Sequence, residues 1–264
     1  MLAAKVQSEV SAEIPQVSSE IFETEPGAQF WIGKVAVENV INSPEYYVAA
    51  TKLRANVYID EMHFLTPDCR DANGCERDQD DDRSVAFATV ERSPEDGVTR
   101  VIGTSRLIKK RSDDEKLPVE ELFPEVFEDG PAEVGALEVS RFISRHEDKA
   151  TQHLVALALI RSMTQYAVNN ENLTAYFVIE RPFYRLLQRT GLPMEVLSEP
   201  RILPKYGNTK NMAVRITPKD IIEQVDNDIE EKLFITKFFK NENGNLGLGF
   251  YPENLTRKKE DGIQ

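Results

Sequence analysis

Several protein classes are excluded by what this chain has little of. Two cysteines in 264 residues cannot frame a disulfide scaffold. Thirteen Gly and 14 Pro are too few for a collagen-like or low-complexity chain. No apolar run approaches the roughly 20 residues that a membrane-spanning helix requires. The opening MLAAKVQSEVSAEIPQ carries charges where an export signal needs an uninterrupted apolar stretch, so a cytoplasmic location is expected. Positive charge is scarce as well, with 32 Lys and Arg against 45 Asp and Glu and a formal net charge of −13. A nucleic-acid partner, which needs a basic footprint, is therefore disfavoured. What remains is a chain with 41% hydrophobic residues, the balance of one folded domain with appendages.

Residues 1–26 hold five acids, one Lys and two Pro with little apolar patterning, and read as an extension. Structure is expected from GAQFWIGKVAVENV onward. Tyr47, Ala50, Leu53 and Val57 recur at helical spacing and predict a helix from Pro44 to about residue 60. Seven acids and two Arg crowd Asp68–Asp82 around an Asn73-Gly74 turn signal, an anionic loop. SVAFATVE and RVIGTSRLIKK then read as a hairpin, VEELFPEVF as a short helix and GALEVSRFIS as a strand. Val155, Leu159, Met163 and Tyr166 stripe one face of a long helix. A strand at Leu173–Glu180, a helix opened by Pro182 and closed by Gly191, strands around MEVLSEPR and NMAVRI, and an amphipathic helix in DIIEQVDNDIEEKLFITKFF complete the order. The fold class is α+β, a central mixed sheet flanked by helices, with a main domain over 27–217 and a helix and tail over 218–264.

Four clusters carry polar groups that chemistry could use. Arg54 lies on the first helix with Val57, Tyr58 and Phe64 near it; such an Arg is either solvated or functional. Glu76, Asp78 and Asp81 crowd the acidic loop, which is either a solvated flexible loop or is balanced by a cation, an Arg or a substrate ammonium. Arg106, in Gly103-Thr104-Ser105-Arg106-Leu107, points to solvent or into a cleft. In Glu138-Val139-Ser140-Arg141-Phe142, alternation puts Glu138, Ser140 and Phe142 on one face and Val139 and Arg141 on the other. Burying Glu138 or Arg141 unpaired costs several kcal/mol, so the pair is a site or a structural ion pair.

In this order, LRANVYIDEMHF, ERDQDD, VIGTSRL, LPVEELFP and EVSRF resemble the acyl-homoserine-lactone synthases and the related long-chain N-acyl amino acid synthases, a branch of the GNAT acyltransferase superfamily. The resemblance spans Leu53 to Ile216 and implies a GNAT-like acyltransferase fold. It implies that Arg54, Asp78, Asp81, Arg106, Glu138 and Arg141 form a network shaping an acceptor-amine pocket, with Phe64, Ser140 and Phe142 beside them and the acyl chain along the sheet. Phe64, Leu137 and Asp80 stand where homoserine-lactone synthases carry Trp, Trp and Tyr. The Leu-Pro and Leu-Phe-Pro pieces between Arg106 and Glu138 are closer to the amino acid synthase branch.

A thioester is attacked only by a neutral amine, so a carboxylate must take its proton, and Glu138 is the candidate base. Strand N–H groups can receive the oxyanion, and Arg141 and Arg106 orient the carboxylates or bind an acceptor's carboxyl group. Asp78 and Asp81 hold the acceptor's ammonium or tie down Arg54. The junction Ser144–Lys149 has no Gly to cradle a pyrophosphate, which favours acyl carrier protein over CoA as donor. An acidic carrier needs basic residues, and Lys109, Lys110, Arg111, Arg145 and Lys149 are the expected docking patch. Cys69, Cys75 and His63 match no zinc spacing, His146 and His153 are expected on helix surface or in solvent, and no catalytic triad spacing is present. The expectation is an enzyme without a bound cofactor or metal, moving a fatty acyl group to the amine of an amino acid. The alternatives are a lactone autoinducer synthase using S-adenosylmethionine and a non-catalytic binding module for acyl chains or carrier protein.

Overall fold

The computed structural model describes residues 28–32, 35–39, 44–92, 99–170, 174–206 and 209–228. Its strands are β1 (Ala28–Ile32), β2 (Val35–Asn39), β3 (Ser84–Arg92), β4 (Thr99–Lys109), β5 (Leu137–Ser144), β6 (Ala175–Glu180), β7 (Glu195–Val196), β8 (Arg201–Ile202) and β9 (Lys210–Ile216). They join one sheet in the order β1-β2-β3-β4-β5-β6-β9-β7, with β8 also paired to β9. Every neighbouring pair is antiparallel except β5 and β6. The helices are α1 (Pro44–Ala55), α2 (Pro118–Leu122), α3 (Lys149–Asn169), α4 (Arg181–Arg189) and α5 (Pro218–Asn227). The mostly antiparallel α+β sheet expected from the sequence is the one observed.

Helices cover both faces. Val155, Leu159 and Met163 of α3 are buried against Phe87, Leu107 and Val139, and α5 adds Ile221 and Val225 to the same core. Each such side chain contributes roughly 1.5–3 kcal/mol by leaving water. On the opposite face α1 lays Tyr46 and Ala50 on Ala86, Ala88 and Val90. Leu117, Val119 and Phe123, in and around α2, pack there on Ile108, Tyr176 and Ala213. The α5 start is closed by reciprocal bonds between Thr217 and Asp220. Residues 1–27 lie outside the described residues, as does the predicted continuation of the last helix beyond Asp228.

Two sequence expectations change. The first helix is α-helical only to Ala55 and continues as π-helix over Asn56–Glu61, ending at His63 with φ +54°. Its buried face carries Tyr46, Ala50, Thr51, Arg54 and Ala55, while Leu53 is half-buried, because an apolar stripe does not reveal a buried Arg. Alternation along β5 fails at Arg141, whose φ of +53° turns the strand, next to a register shift opposite Thr104–Arg106. The sheet has one parallel seam. β5 and β6 stay paired only across Leu137–Val139 and Ala175–Phe177, then part company.

Where α3 crosses β4, Gly103 is a packing requirement. A Cβ there meets Val155 Cγ1 at 2.6 Å and the Ile143 carbonyl oxygen at 3.0 Å. Valine is too short and stiff to swing aside. Gly103→Ala is expected to lower the unfolding free energy by about 1–3 kcal/mol in urea titration.

Candidate active site

Three arginines and three carboxylates meet where α1, the acidic loop, β4 and β5 converge. Arg54 donates its two terminal nitrogens to the two Asp81 oxygens at 2.8 and 2.9 Å and its Nε to Glu76. Arg106 grips Asp78 in the same forked way, at 2.6 and 2.7 Å, and reaches Asp81 at 2.9 Å. Arg141 closes the set, donating to Glu76 at 2.8 Å and to Asp78 at 2.9 Å. Glu76, Arg54 and Arg106 are 1%, 2% and 1% exposed. Charges so deeply buried survive only when paired, and forked guanidinium–carboxylate bonds are the geometry that pairs them best.

The local chain is shaped to present these groups. In the turn at Gln79–Arg83 the Asp78 carboxylate accepts from the Asp80 N–H and the Asp81 carboxylate from the Asp78 N–H, so both acids are locked before they meet an Arg. Burial alone raises the Asp78 and Asp81 carboxyls. Hydrogen bonds and charge from Arg106 and Arg54 outweigh it and hold both below the usual carboxylate range. Burial likewise works against the charged Arg54 and Arg106, and their acidic partners raise both instead.

A cavity of about 590 Å³ opens where β5 and β6 separate. On the α3 side it is apolar, with Ala156, Phe177 and Ile179, and with Phe142 against Phe183 at 5.1 Å between ring centres. On the opposite side Glu138 and Arg141 face Tyr58, Phe64 and Tyr206. Phe64 packs on both tyrosines, at 6.5 and 6.2 Å, and the Arg141 guanidinium lies 5.5 Å over the Tyr58 ring. The π-helical turn aims Tyr58 so that its hydroxyl donates to the Phe142 carbonyl at 3.2 Å. Burial pushes the Tyr58 hydroxyl up to about 12, and burial with the nearby Glu138 charge does the same to Tyr206. Glu138, buried in this wall, accepts from the Val119 N–H at 2.7 Å.

The family model described as autoinducer synthase matches residues 39–224, most of the chain. The chain belongs to the autoinducer synthase family. Membership makes it an acyltransferase enzyme. Solved structures of similar fold include the CoA-dependent acyl-homoserine lactone synthase BjaI with S-adenosylmethionine and isopentyl-CoA, 18% identical with a TM-score of 0.54, over 72% of this chain and 84% of that one. The acyl-homoserine lactone synthase LasI is 19% identical with a TM-score of 0.55, over 70% and 89%. TofI, in a ternary complex with an inhibitor and MTA, is 19% identical with a TM-score of 0.53, over 70% and 91%. No curated protein matches this chain.

In this autoinducer synthase-family chain, Phe64, Glu138, Ser140, Arg141 and Phe142 line the cavity. Arg54, Asp78, Asp81 and Arg106 do not line it; they pair with one another and hold Arg141. The acidic loop is not a solvated one, because Glu76 and Asp81 are drawn inside by these guanidinium groups. The expected docking patch divides. Lys110 is buried and paired with Glu120, so it presents nothing to a partner. Lys109 and Arg111 are exposed at one end of β4, and Arg145 and Lys149 at the other end of the β4–β5 pair, beside the cavity. His153, half-buried on α3, lines the cavity, and His146 meets Glu91 at 3.1 Å. Cys69 and Cys75 are free thiols. Among the described residues no group of His, Cys, Asp or Glu is arranged to hold a metal ion, and no helix is long and apolar enough to cross a membrane.

Glu76 and Tyr206 are the participants that motif reading left aside. Glu76 is one acid among seven in its loop and no motif singles it out, although it bridges Arg54 and Arg141. Tyr206 follows β8 in a stretch, LPKY, that carries no pattern of its own.

Arg54→Met leaves Glu76 and Asp81 short of a buried partner and is expected to cost about 3–5 kcal/mol in chemical denaturation. With their folded carboxyls held low, Asp78 and Asp81 add stability that is full above the ordinary carboxylate range and lost as pH falls through the folded values. Stability measured downward from about pH 5 should therefore decline, and Asp81→Asn should flatten that decline.

Proposed function

We propose that the enzyme transfers a fatty acyl group from an acyl carrier protein thioester to the amine of a free amino acid. The observation that carries this reading is Glu138, a buried carboxylate at the point where the sheet opens, on the polar wall of a cavity whose other wall is apolar. The acyl chain lies on the Phe142, Phe177 and Phe183 side, and the acceptor sits by Tyr58, Phe64 and Tyr206.

Glu138 takes a proton from the acceptor's ammonium, directly or through one water, and the freed amine attacks the thioester carbon. The carbon–nitrogen bond forms, the carbon–sulfur bond breaks, and the sulfur leaves as a thiol on its carrier after receiving a proton. Backbone N–H groups of β5, released from β6 beyond Val139, are available to receive the oxyanion. Arg141, fixed by Glu76 and Asp78, lends positive charge to this end of the cavity. Arg54, Arg106, Asp78 and Asp81 act as its support.

A carrier-protein donor is favoured by the start of α3. The Asp148 carboxylate accepts from the Thr151 N–H at 2.8 Å and its hydroxyl at 2.7 Å, placing a negative group where a CoA pyrophosphate would compete for the same donors. Arg145 and Lys149 beside the cavity, with exposed Arg181, Arg185 and Arg189 spaced four apart along α4, offer an acidic carrier its basic surface. A second reading, a lactone autoinducer synthase using S-adenosylmethionine, is supported by the family model and by the S-adenosylmethionine in BjaI.

Purified enzyme given acyl carrier protein thioesters and single amino acids is expected to release free thiol, faster than with acyl-CoA. Methylthioadenosine released from S-adenosylmethionine would favour the second reading, and no thiol with any acceptor would defeat both. Glu138→Gln, with the fold intact by circular dichroism, should slow thiol release about 10²–10⁴-fold. An unchanged rate would remove Glu138 as base.

A further inference from the structure

Lys110 is fully buried just past the end of β4, and nothing in the acyl-transfer chemistry uses it directly. Its Nζ donates to both oxygens of Glu120, at 2.9 and 3.2 Å. The same carboxylate accepts from the Leu117 N–H at 2.7 Å and from the Ala132 N–H at 3.0 Å. The Lys110 backbone is pinned too, its N–H donating to the Ala136 carbonyl at 3.0 Å and its carbonyl accepting from the Gly135 N–H at 2.8 Å. Lys110 therefore joins the sheet to the amino end of α2 through an internal ion pair.

Two residues after Leu117 on that short helix, the Val119 N–H donates to Glu138 Oε2 at 2.7 Å. The α2 start thus lies between two buried carboxylates, Glu120 held by Lys110 and Glu138 on the cavity wall. A helix of five residues cannot hold its own position, and burying an ion pair is costly compared with apolar packing. To the apolar packing of Leu117, Val119 and Phe123 the pair adds a directional tether at the α2 start, close to the N–H that meets Glu138.

We propose that Lys110 is a positioning residue for Glu138: by pinning Glu120 it fixes the amino end of α2, and with it the Val119 N–H that orients the Glu138 carboxylate. The inference rests on the reading of Glu138 as the base. The charged and titratable groups around Glu138 are Tyr206, Tyr176 at the same register on β6, Glu120 on α2, Lys110 and Arg106 from β4 and its exit, and Arg141 on its own strand. The action proposed for Lys110 runs through Glu120 and α2.

The test compares Lys110→Met with a double variant, Lys110→Met and Glu120→Gln, which removes both charges so that neither is left buried alone. Thiol release is followed against pH, alongside circular dichroism and a thermal melt. A carboxylate that loses a fixed N–H donor holds its proton to higher pH, so the acid limb of the rate profile should move up by about half a unit to one unit. The turnover number should fall about tenfold with the acceptor KM unchanged. A folded double variant with the parental limb and turnover would overturn the proposal, as would failure of both variants to fold, which would assign the pair to stability alone. Glu138→Gln separates the two claims. Should Glu138→Gln retain activity, the base assignment itself fails; should it be inactive while the Lys110 variants keep the parental profile, only the positioning role fails.

Discussion

Everything at the candidate site depends on a closed exchange of charge among Arg54, Arg106, Arg141, Glu76, Asp78 and Asp81. Each of these ions would be expensive to bury alone, and together they sum to zero with nearly every strong donor answered. The consequence is mechanical as well as electrostatic. The set ties α1, the acidic loop, β4 and β5 into one rigid corner, and Arg141 is the member that emerges from that corner into the cavity. A left-handed backbone at Arg141 costs on the order of 1–3 kcal/mol, and its bonds to Glu76 and Asp78 offset it.

That same backbone turn connects the network to the cavity. β5 must leave β6 for a space to open inside a sheet, and it does so just after Val139, two residues before Arg141. The opening joins an apolar face lined from α3 and α4 to a polar face bounded by Tyr58, Phe64 and Tyr206. The acyl transfer proposed above uses both environments in contact, one for an alkyl chain and one for an amine's proton. Here a single irregularity in one strand supplies the junction.

Much of the fold was legible because it follows from period and punctuation. The hairpin of β3 and β4 alternates, α3 carries an apolar stripe, and α4 is bracketed by Pro182 and Gly191. The ordered motifs around Arg54, Asp78, Arg106 and Glu138 were legible as a family resemblance. The π-helical turn after Ala55 and the break in alternation at Arg141 were not, since each is a deviation that the surrounding structure imposes on residues with ordinary preferences. Lys110 illustrates the same limit, because a Lys at the end of a strand reads as solvated until the Glu120 that meets it is known.

The chain's own residues, taken in order, determined the α+β class, the positions of most helices and strands, and which charged groups were too unusual in their settings to be incidental. Tertiary structure decided which of those groups line the cavity and which hold others in place, buried Lys110 against Glu120, and brought Glu76 and Tyr206 to the candidate site. The division has a simple cause. Local patterns report on hydrogen bonding and on the burial of apolar surface within a few residues, whereas the fate of a charge is set by the opposite charge it meets across the fold, 22 residues away for Arg54 and Glu76 and 65 for Arg141 and Glu76.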